Sequence, residues 1–247
     1  MVTKRALSRF ERHFSEILGV EEVSTLSRDL SSNFTFSEYS KLEHNELGTV
    51  ISLSKSGKYS IDILSGLGII SKIIVEEGVE IEFDFFAHSN SAVLLQFVIK
   101  KRASCIINGR YNSNKEKNWI HVELLHEGEE SKSDLKVIGC VSNSAECVND
   151  GLVQIGRGAF NSKGYQTMSN YVLSNRAKVF SEPQLEIFNP NVECSHGCTI
   201  SPISKETIHY LQSRGMNEEE GVELLQESLY ISFLEKNVSG IEEEKLI

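Results

Sequence analysis

Between residues 49 and 188 apolar and polar residues alternate over short stretches, and the pattern predicts strand after strand. Runs at 49–53, 59–64, 69–75, 79–86, 93–100, 105–107, 119–125, 135–141, 152–155, 171–173, 178–180 and 184–188 are rich in β-branched and aromatic residues. In Val79-Glu-Ile-Glu-Phe-Asp-Phe the alternation is strict, which puts one face in an apolar interior and an acidic face in water. Gly, Asn and Ser separate the runs at roughly the 8–12-residue spacing of all-β folds, and no helical periodicity interrupts them.

The two ends read differently. Leu7, Phe10, Phe14, Ile17 and Leu18 recur at helical spacing before Gly19, which predicts a short amphipathic helix over 4–18. Residues 21–47, rich in Ser, Glu and Asn, predict an irregular, partly helical connection. Near the C-terminus Ser204 is placed to cap a helix carrying Ile208 and Leu211 that stops at Arg214-Gly215. Asn217 opens a second helix with Glu220 three residues on, the spacing of a capping box, and Glu218 and Glu219 complement its dipole. Val222, Leu225, Leu229 and Phe233 form an apolar stripe on that helix, which either docks on the β core or meets a partner. These readings divide the chain into an N-terminal region (1–47), a β core (48–200) and a C-terminal helical subdomain (201–247).

A sandwich, a barrel and a solenoid all accommodate such strands. Two features favour the solenoid: small polar turns join the strands, and single apolar residues occur at those turns (Ala159, Met168, Ala177), as if facing a continuous inner stack. No strict period is visible, so the expected solenoid is an irregular parallel β-helix.

Composition narrows the function. The 247 residues are 40% apolar, enough for a substantial core. A formal charge of −10 argues against a broad nucleic-acid-binding face, and Lys100-Lys101-Arg102 reads as a solvated strand end. Five cysteines make no paired disulfide framework. The N-terminus lacks a signal-peptide apolar region, and no run approaches the roughly 18 apolar residues of a membrane span. A cytoplasmic protein with reduced thiols is expected.

The chemistry concentrates at Val192-Glu-Cys-Ser-His-Gly-Cys198. If this segment is extended, Cys194, His196 and Cys198 share one face while Glu193 and Ser195 take the other. Sulfur and imidazole donors on one face suit zinc, copper or iron–sulfur chemistry. The competing reading is a buried turn whose cysteines act as small hydrophobes. A Cys–His hydrolase would need an orienting group and an oxyanion hole, and nothing near Cys194 supplies them. A structural zinc site would need a fourth ligand, for which His209 is distant in a predicted helix. Gly156-Arg-Gly158 lacks the Lys and Ser/Thr of a nucleotide-phosphate loop. Cys105, in Ala-Ser-Cys-Ile-Ile, reads as core. Cys140 and Cys147 flank a turn within reach of each other and read as structural. His121 and His126 face opposite sides of one strand.

Four blocks then occur in the order and spacing of a known family: Ser181-Glu-Pro-Gln-Leu-Glu-Ile-Phe, Val192-Glu-Cys-Ser-His-Gly-Cys-Thr, Ile208-His-Tyr-Leu-Gln-Ser-Arg-Gly-Met and Asn217-Glu-Glu-Glu-Gly-Val-Glu-Leu-Leu. Together they resemble the SufB/SufD family, scaffold proteins of SUF-type iron–sulfur cluster assembly. The N-terminal region is shorter than the helical part of bacterial members, so the chain looks like a compact or archaeal-type version.

The resemblance implies a right-handed parallel β-helix core with a C-terminal helical subdomain, and no catalytic residues of the chain's own. It implies a transient iron–sulfur cluster at a dimer interface, held by Cys194 and His196 with Cys198 auxiliary. Cys194-Ser-His-Gly matches the SufD branch, and the SufB cysteine expected near residues 166–170 is missing here, with Met168 or a neighbour in its place. A SufC-type ABC ATPase would dock on Tyr210, Arg214, Gly215, Val222, Leu225 and Leu229. The dimer is expected with a second copy or with a SufB-type subunit, and a sulfur donor and apo-protein recipients complete the partners. The alternative is an interaction subunit that supports a SufB-type partner without ligating a cluster. A β-helix enzyme acting on sugars would need paired carboxylates on one face, and the middle region shows no convincing pair.

Overall fold

The computed structural model describes residues 34–35, 40–45, 48–64 and 68–243. The helix expected over 4–18 lies outside them. The irregular, partly helical connection expected over 21–47 is corrected where it is described: Phe34–Thr35 and Ser40–Asn45 are strands, because pairing with neighbouring strands overrides their weak local signal. Fourteen strands are described: β1 (Phe34–Thr35), β2 (Ser40–Asn45), β3 (Gly48–Leu53), β4 (Gly57–Ile63), β5 (Gly68–Val75), β6 (Glu80–Ala87), β7 (Ala92–Ile99), β8 (Ser104–Asn114), β9 (Lys117–His126), β10 (Lys132–Ser142), β11 (Glu146–Ile155), β12 (Lys163–Val172), β13 (Lys178–Ile187) and β14 (Glu193–Pro202). Two helices follow, α1 (Lys205–Ser213) and α2 (Glu218–Glu243).

From β3 on, successive strands alternate between two sheets, one ordered β1-β4-β6-β8-β10-β12-β14 and the other β2-β3-β5-β7-β9-β11-β13. From β3 to β14 all neighbours within a sheet are parallel, and β1 and β2 close the N-terminal end as antiparallel partners of β4 and β3. The chain is a parallel β-helix: each circuit adds one strand to each sheet. Its circuits are unequal. Ser104 stacks 24 residues after Glu80, Lys132 28 after Ser104, and Lys163 31 after Lys132. That variation is why no period is visible in the sequence.

The turns stack as well. Gly78 N donates to Lys101 O at 3.0 Å, Arg102 N to Glu129 O at 2.9 Å and Asn161 N to Asn191 O at 2.9 Å. Gly78, Arg102, Glu130 and Asn161 take left-handed backbone angles at the equivalent turn of successive circuits. The basic triplet there is neutralised by stacked neighbours: Lys100 pairs with Glu127, Lys101 with Glu129 and Arg102 with Glu77. All three pairs are exposed and so contribute little to stability.

Along most of the coil the inward positions are apolar: Ile81, Phe83 and Phe85 on β6, Val93, Leu95 and Phe97 on β7, Ile120, Val122 and Leu124 on β9. On β7 and β9 the outward Leu94, Val98 and Trp119 are buried too, which explains the nearly continuous apolar runs there. Toward the C-terminal end the lumen turns polar. The inward residues of β12 are Gly164, Gln166, Met168 and Asn170, all buried. This strand was expected only at 171–173, because its core-facing side carries little apolar signal. Expected runs 178–180 and 184–188 are one strand, β13; Pro183 is tolerated because β13 is an edge strand with a side free of ladder bonds. The 105–107 run extends to Asn114, where Gly109 and the polar residues after it weakened the pattern.

The helices follow their sequence signals. Ser204 Oγ accepts from Thr207 N at 3.1 Å, and α1 ends at Arg214 with Gly215 at φ +92°. Asn217 Oδ1 accepts from Glu220 N and Glu220 Oε2 from Asn217 N, each at 2.9 Å, a reciprocal capping box. Tyr230 anchors α2 on the first sheet: its hydroxyl donates to Tyr111 O at 2.6 Å and its ring meets Phe86 edge-on at 6.0 Å.

One inward histidine is a pH probe of the core. His126 is 1% exposed, and its ring nitrogens bond Ser131 Oγ at 2.7 Å and Ser133 Oγ at 2.8 Å. A Cβ at Gly164 would stand 2.7 Å from Val153 Cγ1 and 3.3 Å from His126 Nε2, so glycine there leaves room for both side chains. Burial lowers its pKa to about 4. The unfolded chain therefore takes up a proton that the folded chain refuses. The stabilisation from neutral His126 is fully present above the ordinary histidine range and is lost as pH falls toward about 4. Urea unfolding at pH 7 and pH 5 should show about 2 kcal/mol of stability lost through this group, a loss absent from His126→Gln; equal pH slopes in both proteins would contradict the assignment.

Candidate functional site

The segment Val192-Glu-Cys-Ser-His-Gly-Cys198 forms most of β14, which runs parallel to β12. Register places Cys194 beside Gly164, His196 beside Gln166 and Cys198 beside Met168. These β12 residues face the lumen, so the three donors lie on the inward face of the last circuit. No described strand continues the stack beyond β14 or β13. An inward face that is buried elsewhere is therefore open here: Cys194 is half-buried against the core, while His196 and Cys198 are exposed.

Glu193 points outward, where Tyr165 donates to one carboxylate oxygen and Lys163 Nζ lies 2.9 Å from the other. The Tyr165 hydroxyl and then Lys163 hold its pKa below the usual carboxylate range. Burial, reinforced by the Glu193 carboxylate, pushes Tyr165 up to about 12. Burial also raises the Cys194 thiol, with the Gly164 backbone bond working in the opposite direction. Cys194 thus rests as a thiol and must shed a proton when it binds a metal.

Strand geometry limits what one chain can do. Alternate residues on a strand lie about 6.6 Å apart, so Cys194 and Cys198 are about 13 Å apart along β14. A single ion with metal–ligand bonds near 2.0–2.3 Å does not reach that far. Among the described residues no three His, Cys, Asp or Glu side chains converge to hold a metal ion. The donor types suit iron, but the described chain offers an open row rather than a closed set.

The other cysteines are free and buried. Cys105 faces the lumen. Cys147 faces the lumen from the opposite sheet, and Cys140 faces outward beneath α2, so these two do not form the pair their spacing suggested. Burial pushes both thiols up to about 12. His121 points outward, stacked on Trp119 at 5.5 Å, and His126 inward. A cavity of about 850 Å³ lies between the turn after β12 and α1, lined by Leu173, Arg176, Ile203, His209 and Gln212. It opens at the far end of β14, about 26 Å along the strand from Cys194, and no cysteine lines it.

On the helices Tyr210 is 57% exposed, with the Arg214 guanidinium 5.3 Å from its ring centre. Val222, Leu225 and Leu229 are half-buried, whereas Leu224 and Ile231 are exposed. A residue the sequence did not single out, Asn170, lies buried one inward position along from Met168, registered with Ile200, and its amide reaches diagonally to Cys198.

A family model described as SUF system FeS cluster assembly, SufBD core domain, matches residues 95–229. The iron-sulfur cluster assembly protein SufD of Escherichia coli is 30% identical over 155 residues, 58% of this chain and 36% of that protein. An iron-sulfur cluster assembly SufBD family protein of Synechocystis is 38% identical over 85 residues, 34% of this chain and 19% of its own length. A third relative, from Porphyra purpurea, is 29% identical over 103 residues, 42% of this chain and 21% of its own. The chain thus matches little more than a third of the length of these relatives, or less.

Exposure and burial set an order of thiol reactivity. Limited alkylation of the native protein, mapped by mass spectrometry, should modify Cys198 first and Cys194 more slowly, with Cys105, Cys140 and Cys147 reacting only on unfolding. Early labelling of Cys147 would contradict the lumen placement.

Proposed function

We propose, from the premise that the chain belongs to the SufBD core-domain family, that it is a scaffold subunit of SUF-type iron–sulfur cluster assembly. The observation that carries this reading is the row Cys194, His196 and Cys198 on the inward face of a terminal circuit. Thiolates and imidazole hold iron, and an incomplete set lets a nascent cluster leave, whereas four thiolates in one chain would retain it. The cluster is cargo. Cys194 and His196 are its primary ligands, Cys198 is auxiliary, and a second chain across the open end supplies the rest.

The free edges of β13 and β14, with Phe180, Ile187 and Ile200 exposed beside them, support pairing with a second copy or a SufB-type subunit. A SufC-type ABC ATPase fits the helical subdomain through Tyr210, Arg214, Gly215, Val222, Leu225 and Leu229. Supporting this, α2 is apolar on more than one side: Tyr230 seals it to the solenoid while Leu224 and Ile231 face outward. ATP hydrolysis belongs to that partner, the sulfur donor and apo-protein recipients act in the same cytoplasmic machinery, and this chain performs no catalysis. A second reading, an interaction subunit that supports a SufB-type partner without ligating a cluster, draws on Met168, a thioether beside Cys198 near where a SufB-type thiol is expected.

Anaerobic reconstitution with iron and sulfide separates the two. Cys194→Ala and His196→Ala should each weaken cluster binding at least about tenfold; binding equal to the unmodified protein would favour the interaction-subunit reading. For the helices, Leu225→Asp or Arg214→Glu should cost about 2 kcal/mol, roughly thirtyfold, in ATPase affinity. Undiminished co-purification would remove the docking assignment.

A further inference from the structure

The lumen of the last circuits holds a directed chain of hydrogen bonds that ends at the candidate site. Tyr111, fully buried on β8, lies across Gly139, where any Cβ would overlap its ring. The missing side chain lets the tyrosine reach past β10 to β12, where its hydroxyl donates to Asn170 Oδ1 at 2.6 Å. Asn149, from the opposite sheet, donates Nδ2 to the same oxygen at 2.9 Å. With Oδ1 accepting twice, the amide of Asn170 has one orientation. Its Nδ2 then faces β14, donating to Thr199 O at 3.0 Å and lying 3.9 Å from Cys198 Sγ.

This is more than an asparagine ladder of the kind that stabilises stacked strands. A ladder would continue at the next register position, which is Ile200. The amide instead turns to the neighbouring inward position, the exposed thiol. Met168, the β12 residue beside Cys198, is engaged separately by the Ser181 hydroxyl at 3.5 Å. The same stretch of lumen also holds two buried acceptors without partners, Asn149 Oδ1 and Gln166 Oε1. Its polarity therefore exceeds what its own internal bonds use.

We propose that Asn170 is a positioning residue for Cys198, aiming an amide N–H at its sulfur in an orientation locked by Tyr111 and Asn149, so that Cys198 meets a thiophilic metal with part of its charge already compensated. The inference rests on the cluster-scaffold reading and deepens it: Cys198 becomes a tuned ligand rather than an incidental one. A hydrogen bond to the sulfur favours the thiolate over the thiol, the form a metal requires, and is one of the levers on a bound cluster's potential. The Tyr111 main chain is also held by the Tyr230 hydroxyl, so the chain of contacts runs from α2 to the open end of the coil.

The test reconstitutes the full chain anaerobically with iron and sulfide, reading the sulfur-to-iron charge-transfer band and the rate at which a chelator removes the iron. Asn170→Asp keeps both acceptor bonds but loses the N–H groups toward Cys198 and Thr199 O and sets a carboxylate oxygen beside the sulfur; it should shift the band and speed removal at least about fivefold, the worth of one ordinary hydrogen bond. Tyr111→Phe, which unlocks the amide while preserving the ring, should act in the same direction and more weakly. In a Cys198→Ala background both changes should have no further effect, a non-additivity that a merely structural role would not produce. Should Asn170→Asp fail to fold, Tyr111→Phe carries the same comparison. An undiminished effect without Cys198, or unchanged band and release with it, overturns the proposal. Loss of binding in Cys194→Ala and His196→Ala but not in Cys198→Ala overturns it while sparing the scaffold reading. Binding indifferent to all three ligands overturns both.

Discussion

In-register stacking of unequal circuits is the constraint on which the rest of this structure depends. Each strand from β5 onward makes its ladder hydrogen bonds with the strands one circuit before or after it, and its inward side chains pack on theirs and, across the lumen, on the opposite sheet, as Phe83 does on Phe97. Such a coil has no natural end. At one end β1 and β2 close the sheets with antiparallel strands. At the other, among the described residues, β13 and β14 present free edges and an inward face that no further strand covers. The candidate site lies on that face because there a residue holds a core position without a core above it.

The same stacking explains why the interior changes character along its length. Deep in the coil a polar inward group would go unpaired, and the lumen there is apolar. Approaching the open end, Gln166, Asn170 and Asn149 replace leucine, isoleucine and phenylalanine and bond across circuits. Glycines permit this by absence: Gly139 gives Tyr111 its reach and Gly164 leaves room for Val153 and His126. On the outside, Tyr230 joins the long C-terminal helix to the backbone of Tyr111, whose side chain enters the polar lumen. Helix platform and open end are thereby parts of one packed network.

Much of this was legible in the sequence. The strict alternation around Ile81 and Phe83 named their inward faces, and Ser204, Arg214-Gly215 and the Asn217/Glu220 pair marked the helix ends, because caps and pleats are local rules. The shared face of Cys194, His196 and Cys198 followed from alternation on the condition that the segment is extended, and β14 is extended from Glu193 onward. What escaped was whatever depends on register. Strand β12 was hidden because Gly164, Gln166 and Asn170 face inward without apolar signal. The opposite orientations of Cys140 and Cys147, seven residues apart, depend on the turn between them and the two sheets they enter. Contact between Asn170 and Cys198 requires a circuit length that varies along the coil, so no repeat in the sequence announces it.

In the proposed scaffold role the open circuit carries half a site, completed by a second chain. Native mass spectrometry of the protein after anaerobic reconstitution, alone and with a SufB-type partner, tests it most directly. Cluster mass should be found on a two-chain species and be absent from the monomer. A cluster retained by a single chain would contradict the account.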